Sequence, residues 1–210
     1  TGMQSEIASI KRLKNPKSKV SCHYLIDRKG TVVNMVKDNF VAWHAGKSKW
    51  KNFKNLNDKS IGIELQNKGH EIYYEKFTKI QIISLLKLLK KLMKKYKIKK
   101  HHVLGHSDIA PLRKTDPGEK FPWRLLSKNG VSIWYIKSKL KIKSLNDERK
   151  RRKLFFKNLL SIGYRYFRLD KKSVNDKCVV KAFQMRFLPE SVNGKITNKT
   201  LQISQLLVKK

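Results

Sequence analysis

The chain has 210 residues, 40% of them hydrophobic and 10% aromatic, enough to bury a substantial core and too apolar for a disordered polypeptide. Its 50 Lys and Arg against 15 Asp and Glu give a formal net charge of +35, which fits either a polyanionic partner (nucleic acid, an anionic membrane surface, an acidic wall polymer) or a lysine-biased, solvated surface. Two distant cysteines, Cys22 and Cys178, argue against a disulfide framework or a thiolate zinc finger, and no apolar run is long enough to span a bilayer.

SEIASIKRL (5–13) predicts a short helix, ended by the turn material NPKSK. VSCHYLI (20–26) and TVVNMV (31–36) predict two strands flanking DRKG, whose composition suits a hairpin turn. SIGIEL (60–65), rich in isoleucine, predicts a third. Thr78 followed by Gln81 has capping-box spacing. It opens the clearest helix, with Ile82, Ile83, Leu85, Leu86, Leu89, Leu92, Met93 and Tyr96 on one broad apolar face. Such a stripe suits a core helix lying on a sheet better than a helix on a membrane surface. HHVLGH (101–106) predicts a strand that delivers His106 at its carboxyl end. After GVSIW (130–134) the basic stretch KSKLKIKSLNDERKRRK reads as a connector running into a helix. VVKAFQMRF resumes helical patterning, and NGKIT predicts a turn before a last short helix. The chain therefore divides into an α/β part at 1–140, a linker at 141–146 and a helical part at 147–210.

GHSDIAPLRKTDPG (105–118) concentrates the candidate chemistry. A zinc hydrolase needs neutral imidazole or carboxylate ligands, an open position for water, and a group to handle its proton. His106 and Asp116, converging across a loop stiffened by two prolines, would supply two ligands, and Lys114 would stabilise charge on a carbonyl oxygen. A rigid connection whose acids and bases merely pair with one another has the same spacing, and spacing alone favours it.

A longer string is more specific. AWHAG (42–46), LNDKSIGIEL (56–65) and GHSDIAPLRKTDPG with FPW (121–123), in that order, resemble the zinc-dependent N-acetylmuramoyl-L-alanine amidases of the AmpD/AmiD type, the type-2 amidase family, from about residue 1 to residue 134. The resemblance implies an α/β fold, a central mixed β-sheet flanked by helices, related to peptidoglycan recognition proteins. It implies that His106 and Asp116 bind Zn2+, that Glu64 is general base toward the attacking water, and that Lys114 stabilises the tetrahedral intermediate. His44, Trp43 and Arg113 would contact the glycan or peptide stem. The family's first ligand, a histidine closing its opening strand, has no counterpart here, so ligand and strand are expected upstream of residue 1. Cys22 and His23 are the nearest substitutes, but His23 is expected to be a core or hydrogen-bonded histidine. His101 and His102 match no ligand position.

Gly163-Tyr164, Ala182-Phe183-Gln184, and Gly194 with Thr197 resemble the three-helix peptidoglycan-binding module that follows such catalytic domains. The same residues would be core in any small helical domain. Three functions follow: an amidase cleaving between N-acetylmuramic acid (or its anhydro form) and L-alanine, a peptidoglycan-recognition protein without catalysis, or a nucleic-acid binder. The last lacks a docking motif and basic residues interleaved with stacking aromatics. Zn2+ is the expected cofactor and peptidoglycan or muropeptides the expected partners, with no nucleic acid, no transmembrane segment and a monomeric state. A wall-binding module places the chain in the bacterial envelope or periplasm, with cytoplasmic muropeptide recycling the alternative. A basic surface would concentrate it on wall polymer, whose stems carry free carboxylates.

Overall fold

The computed structural model describes residues 6–70, 72–136, 138 and 144–208. The expected opening strand, and residues 141–143 of the expected linker, lie outside them. The architecture is α/β, a mixed sheet with helices, followed by C-terminal helices. Two compact units are present, one formed by 1–48 with 55–100 and the other by 49–54 with 101–210.

In the first unit, α1 (Glu6–Lys14) precedes a three-stranded sheet of order β2-β1-β5, with β1 (Tyr24–Ile26), β2 (Val32–Asn34) and β5 (Ile63–Leu65). β1 pairs antiparallel with β2 through the expected DRKG hairpin, Tyr24 opposite Asn34. It pairs parallel with β5, placing Leu25 opposite Glu64. Leu25 and Ile26 are fully buried, so the central strand anchors the core while Glu64 sits half-buried on the neighbouring strand.

Helix α2 (Lys79–Tyr96) packs on this sheet, and the Thr78 hydroxyl caps it by accepting from the Gln81 N–H at 3.2 Å. The Gln81 side chain does not complete a capping box. Fully buried, its amide instead donates to the carbonyls of Ile26 and Gln66 at 3.1 and 3.0 Å, tying the ends of β1 and β5 together. Ile82, Leu85, Leu89 and Leu92 are buried as expected, together with Leu88. Ile83 and Tyr96 are exposed, so the buried stripe is rotated from the expected one.

Tyr96 has another use. Its hydroxyl donates to Asp38 at 2.7 Å, Tyr24 donates at 2.5 Å and Lys95 at 3.0 Å. Burial raises the Asp38 pKa, but these donors and the Lys95 charge outweigh it and lower it from 3.8 to about 2. A depressed folded-state pKa means the stabilisation is complete above the unfolded value and fades as pH falls through the folded one. Asp38→Asn should therefore lower stability by on the order of 1 kcal/mol near neutrality, after allowance for solvent screening. The gap in thermal midpoint between variant and wild type should shrink as pH falls from about 4 to about 2; a gap that stays constant would refute the cluster's role.

The second unit holds the hairpin β3 (Lys49–Trp50) and β4 (Phe53–Lys54), the short helices α3 (His106–Ile109) and α4 (Trp123–Lys128), and the long helices α5 (Glu148–Ile162), α6 (Asp176–Phe187) and α7 (Asn198–Val208). HHVLGH is not a strand. Residues Lys100–His102 form a 3-10 turn, the next three pair with no strand among the described residues, and His106 begins α3. The cause is local: the Asp108 carboxylate accepts from the Gly105 N–H at 2.8 Å, which caps a helical turn rather than leaving the backbone to a ladder.

Helices α5 and α6 meet in a core of Phe155, Phe156, Leu159, Tyr164, Phe183 and Phe187, all 1% exposed or less. Gly163 ends α5 at φ 139°, and a Cβ there would lie 2.4 Å from the Trp50 ring, so glycine lets that indole close on the helix end. Gln184, fully buried, accepts from the N–H groups of Asn193 and Gly194 at 3.1 and 2.7 Å and so shapes the turn before α7. Among the described residues no helix is long and apolar enough to cross a membrane.

Candidate active site

The loop that carries His106 and Asp116 is built in the second unit. His106 is the first residue of α3, and the next N–H, that of Ser107, donates to the Asp116 carbonyl at 2.8 Å. That bond brings the two ends of the loop together. His106 Nδ1 and Asp116 Oδ2 then stand 3.3 Å apart. Gly105 makes the approach possible, since a Cβ there would lie 2.7 Å from the Pro117 ring, across the cis Asp116–Pro117 bond. Backbone N–H groups of Arg113 and Lys114 both donate to the Ala110 carbonyl at 3.1 Å, turning the loop so that the lysine stays half-buried and the arginine exposed.

Desolvation opposes ionisation of Asp116, yet the hydrogen bond from His106 and the charges of His106 and Lys114 bring its pKa down to about 2. The group is a carboxylate throughout the physiological range. Its side chain is 55% exposed and His106's is 14% exposed, so the pair faces solvent from a braced loop. Arg113 Nη2 approaches His106 Nε2 at 3.3 Å, a contact in which the ring nitrogen must accept.

Two ligands at about 2.1 Å from a tetrahedral zinc ion stand roughly 3.4 Å apart. The 3.3 Å between His106 Nδ1 and Asp116 Oδ2 fits that requirement, and an imidazole with an ionised carboxylate is a suitable donor set. No group of three His, Cys, Asp or Glu side chains able to hold a metal occurs among the described residues.

The first unit carries Glu64, His44 and Trp43. AWHAG is fastened by its backbone: Trp43 N–H donates to Ser21 Oγ at 2.8 Å, and the N–H groups of Ala45 and Gly46 donate to the Asn57 side chain at 2.7 and 3.1 Å. The Trp43 side chain is left 54% exposed, and with Phe40 and Val41 it forms an exposed apolar run. The His44 ring meets that of His23 edge-on at 5.5 Å and lies 3.3 Å from the Ser60 carbonyl through Nε2.

His23 is a core histidine, as expected. It is 1% exposed, its Nδ1 accepts from the Gly62 N–H at 3.0 Å, and Nε2 donates to the Phe40 carbonyl at 3.0 Å. Both ring nitrogens are committed, which leaves none for a metal. Cys22 is no substitute either: burial and the neighbouring Glu64 charge push its thiol up to about 12, far from the thiolate a metal needs.

Sequence reasoning overlooked several supporting residues. Asn57 lies within LNDKSIGIEL but carries no acid, base or nucleophile to mark it. Asp108, Tyr164 and Arg186 join one another over 56 and 78 positions, and no local pattern announces such pairings. The one hint was a charged Arg186 between Met185 and Phe187 in an apolar helix.

Residues 1–119 match the N-acetylmuramoyl-L-alanine amidase family. The amidase AmiD of Escherichia coli is 34% identical over 206 residues, covering 91% of this chain and 74% of that protein. The 1,6-anhydro-N-acetylmuramyl-L-alanine amidase AmpD of Haemophilus influenzae is 43% identical over 106 residues, covering 50% of this chain and 55% of that protein. Among solved structures, E. coli AmiD in complex with the substrate anhydro-N-acetylmuramic acid-L-Ala-D-γ-Glu-L-Lys superposes with a TM-score of 0.86 at 31% identity, over 98% of this chain and 85% of that one. AmpDh3 of Pseudomonas aeruginosa also gives 0.86, at 29% identity, over 100% of this chain and 88% of that one. With a family match over more than half its length and relatives that are amidases of known structure, the chain belongs to the N-acetylmuramoyl-L-alanine amidase family and is an enzyme of that family.

Proposed function

We propose that the chain is a zinc-dependent hydrolase of the amide between the lactyl group of N-acetylmuramic acid, or its anhydro form, and the L-alanine of peptidoglycan stem peptides. The observation that carries the zinc reading is the 3.3 Å spacing of His106 Nδ1 and Asp116 Oδ2, beside a carboxylate held ionised. The substrate reading is supported by relatives whose names specify this bond.

His106 and Asp116 would hold the ion, which supplies Lewis acidity toward the amide carbonyl and toward water. Glu64 takes the proton of the attacking water and later gives it to the leaving amine. Lys114 donates to the carbonyl oxygen as it gains negative charge, an interaction stronger in the transition state than in the ground state. Trp43 offers an apolar face and His44 a ring nitrogen to the glycan or peptide stem. Arg113 receives a stem carboxylate through its planar guanidinium. Were Nδ1 of His106 a ligand, the ring proton would reside on Nε2, which could then no longer accept from Arg113. Helices α5–α7 hold the wall polymer, and the basic surface keeps the enzyme on it. An envelope location follows from such a substrate.

The test is a cleavage assay on an anhydro-muropeptide and on intact sacculi, with zinc-loaded protein and after chelation. Released stem peptides should carry a free L-alanine amine, and chelation should lower the rate by at least about a hundredfold, with zinc restoring it. Rates unaffected by chelator would sink the zinc reading. Binding of both substrates with no cleavage would leave only recognition.

A further inference from the structure

The loop that carries the ligands is gripped from an unexpected quarter. Asp108 lies two residues after His106, is 1% exposed, and accepts three hydrogen bonds. One comes from the Gly105 N–H at 2.8 Å, immediately before the histidine. The others come from the Tyr164 hydroxyl at 2.5 Å, just beyond α5, and from Arg186 Nη1 at 2.5 Å, on α6. Arg186 Nη2 also donates to the Val103 carbonyl at 3.0 Å, so one guanidinium holds the chain on both sides of His106. The Trp123 ring lies under that guanidinium at 4.0 Å.

We propose that Tyr164 and Arg186, supplied by the C-terminal helices, are positioning residues for the metal-binding turn and act through Asp108. This rests on the assignment of His106 and Asp116 as zinc ligands. A buried ion pair is a poor stabiliser compared with well-packed apolar side chains, but it fixes a single arrangement, because any other leaves a buried charge without its partners. Here the arrangement fixed is that of residues 103–108, and the Ser107 N–H extends it by one hydrogen bond to Asp116. Both ligands therefore lie within one bond of the grip. Groups that orient ligands commonly alter metal affinity about 10–100-fold when removed. The C-terminal helices thus position the metal-binding turn, apart from any contact with the wall.

The experiment measures Zn2+ affinity of the metal-free full chain by competition with a chromophoric chelator, for wild type, His106→Ala, Tyr164→Phe, Arg186→Met and Arg186→Lys. Tyr164→Phe removes a hydroxyl and leaves the ring packing, so it remains informative if Arg186→Met does not fold, which thermal unfolding reports. Expected are a roughly tenfold or greater loss of affinity for Arg186→Met, a loss of about threefold to tenfold for Tyr164→Phe, and partial rescue by Arg186→Lys. In zinc-saturated protein the kcat should fall in the same order with KM little changed. Wild-type affinity in folded Tyr164→Phe and in every folded Arg186 variant would overturn the proposal. If His106→Ala also bound zinc like wild type, the ligand assignment itself would have failed, a different result from failure of the grip alone.

Discussion

Glu64→Gln is expected to lower amide hydrolysis by about a hundredfold to ten-thousandfold, the range general base catalysis contributes, while zinc affinity and the thermal midpoint stay at wild-type values. The substitution keeps size and polarity on a strand whose register is fixed by pairing with β1, Glu64 opposite Leu25, so folding has no reason to change. What disappears is the only property the proposed step needs, an oxygen that can accept a proton from water and return it to nitrogen. His106→Ala should behave differently. It removes one of two donors standing 3.3 Å apart, so bound zinc and turnover should fall together. The contrast separates base from ligand: a Glu64→Gln enzyme that lost zinc would make Glu64 part of the metal site, and one that kept full turnover would remove the base assignment.

The parts of this site visible in the sequence are those whose chemistry is packed into short runs. GHSDIAPLRKTDPG places His106, Lys114 and Asp116 within one loop, and its glycine and prolines already announce a constrained backbone. The hairpin was legible for a similar reason, since DRKG between two apolar runs has few other uses. The error at HHVLGH shows where this stops. Val103 and Leu104 suggested a strand, but they pair with no strand among the described residues, and the Asp108 side chain caps a turn at Gly105 instead. Gln81 had the spacing of a capping box, yet the carbonyls of Ile26 and Gln66, far away in sequence, took its amide. Ile83 and Tyr96 satisfied helical periodicity, but a broad apolar stripe cannot say which edge the sheet will cover. A side chain three residues away decided the outcome at HHVLGH, and carbonyls distant along the chain decided it at Gln81.

Gly62→Ala is the substitution for which geometry alone predicts a large effect. A Cβ at this position would lie 2.2 Å from Cγ of His44 and 2.6 Å from its Cδ2, well inside any tolerable contact. The backbone at Gly62 cannot retreat. The Gly62 N–H donates to His23 Nδ1 at 3.0 Å, and its carbonyl accepts from the N–H groups of His23 and Tyr24 at 3.0 and 3.1 Å. Nor can the AWHAG backbone move freely, because Ser21 and Asn57 hold it. The His44 ring must swing away, giving up its contacts with His23 and the Ser60 carbonyl. Overpacking of this kind costs about 1–3 kcal/mol, readable as a lower thermal midpoint. Because Glu64 lies two residues on, within β5, and keeps its pairing with β1, the proposed base should be spared while the proposed substrate contact of His44 is lost. KM for the muropeptide should then rise by about tenfold with kcat reduced less, the signature of lost binding rather than lost chemistry. Adding His44→Ala to Gly62→Ala removes the clashing ring and should restore the midpoint without restoring KM. A double variant no more stable than Gly62→Ala would show that the strain lies somewhere other than between Gly62 and His44.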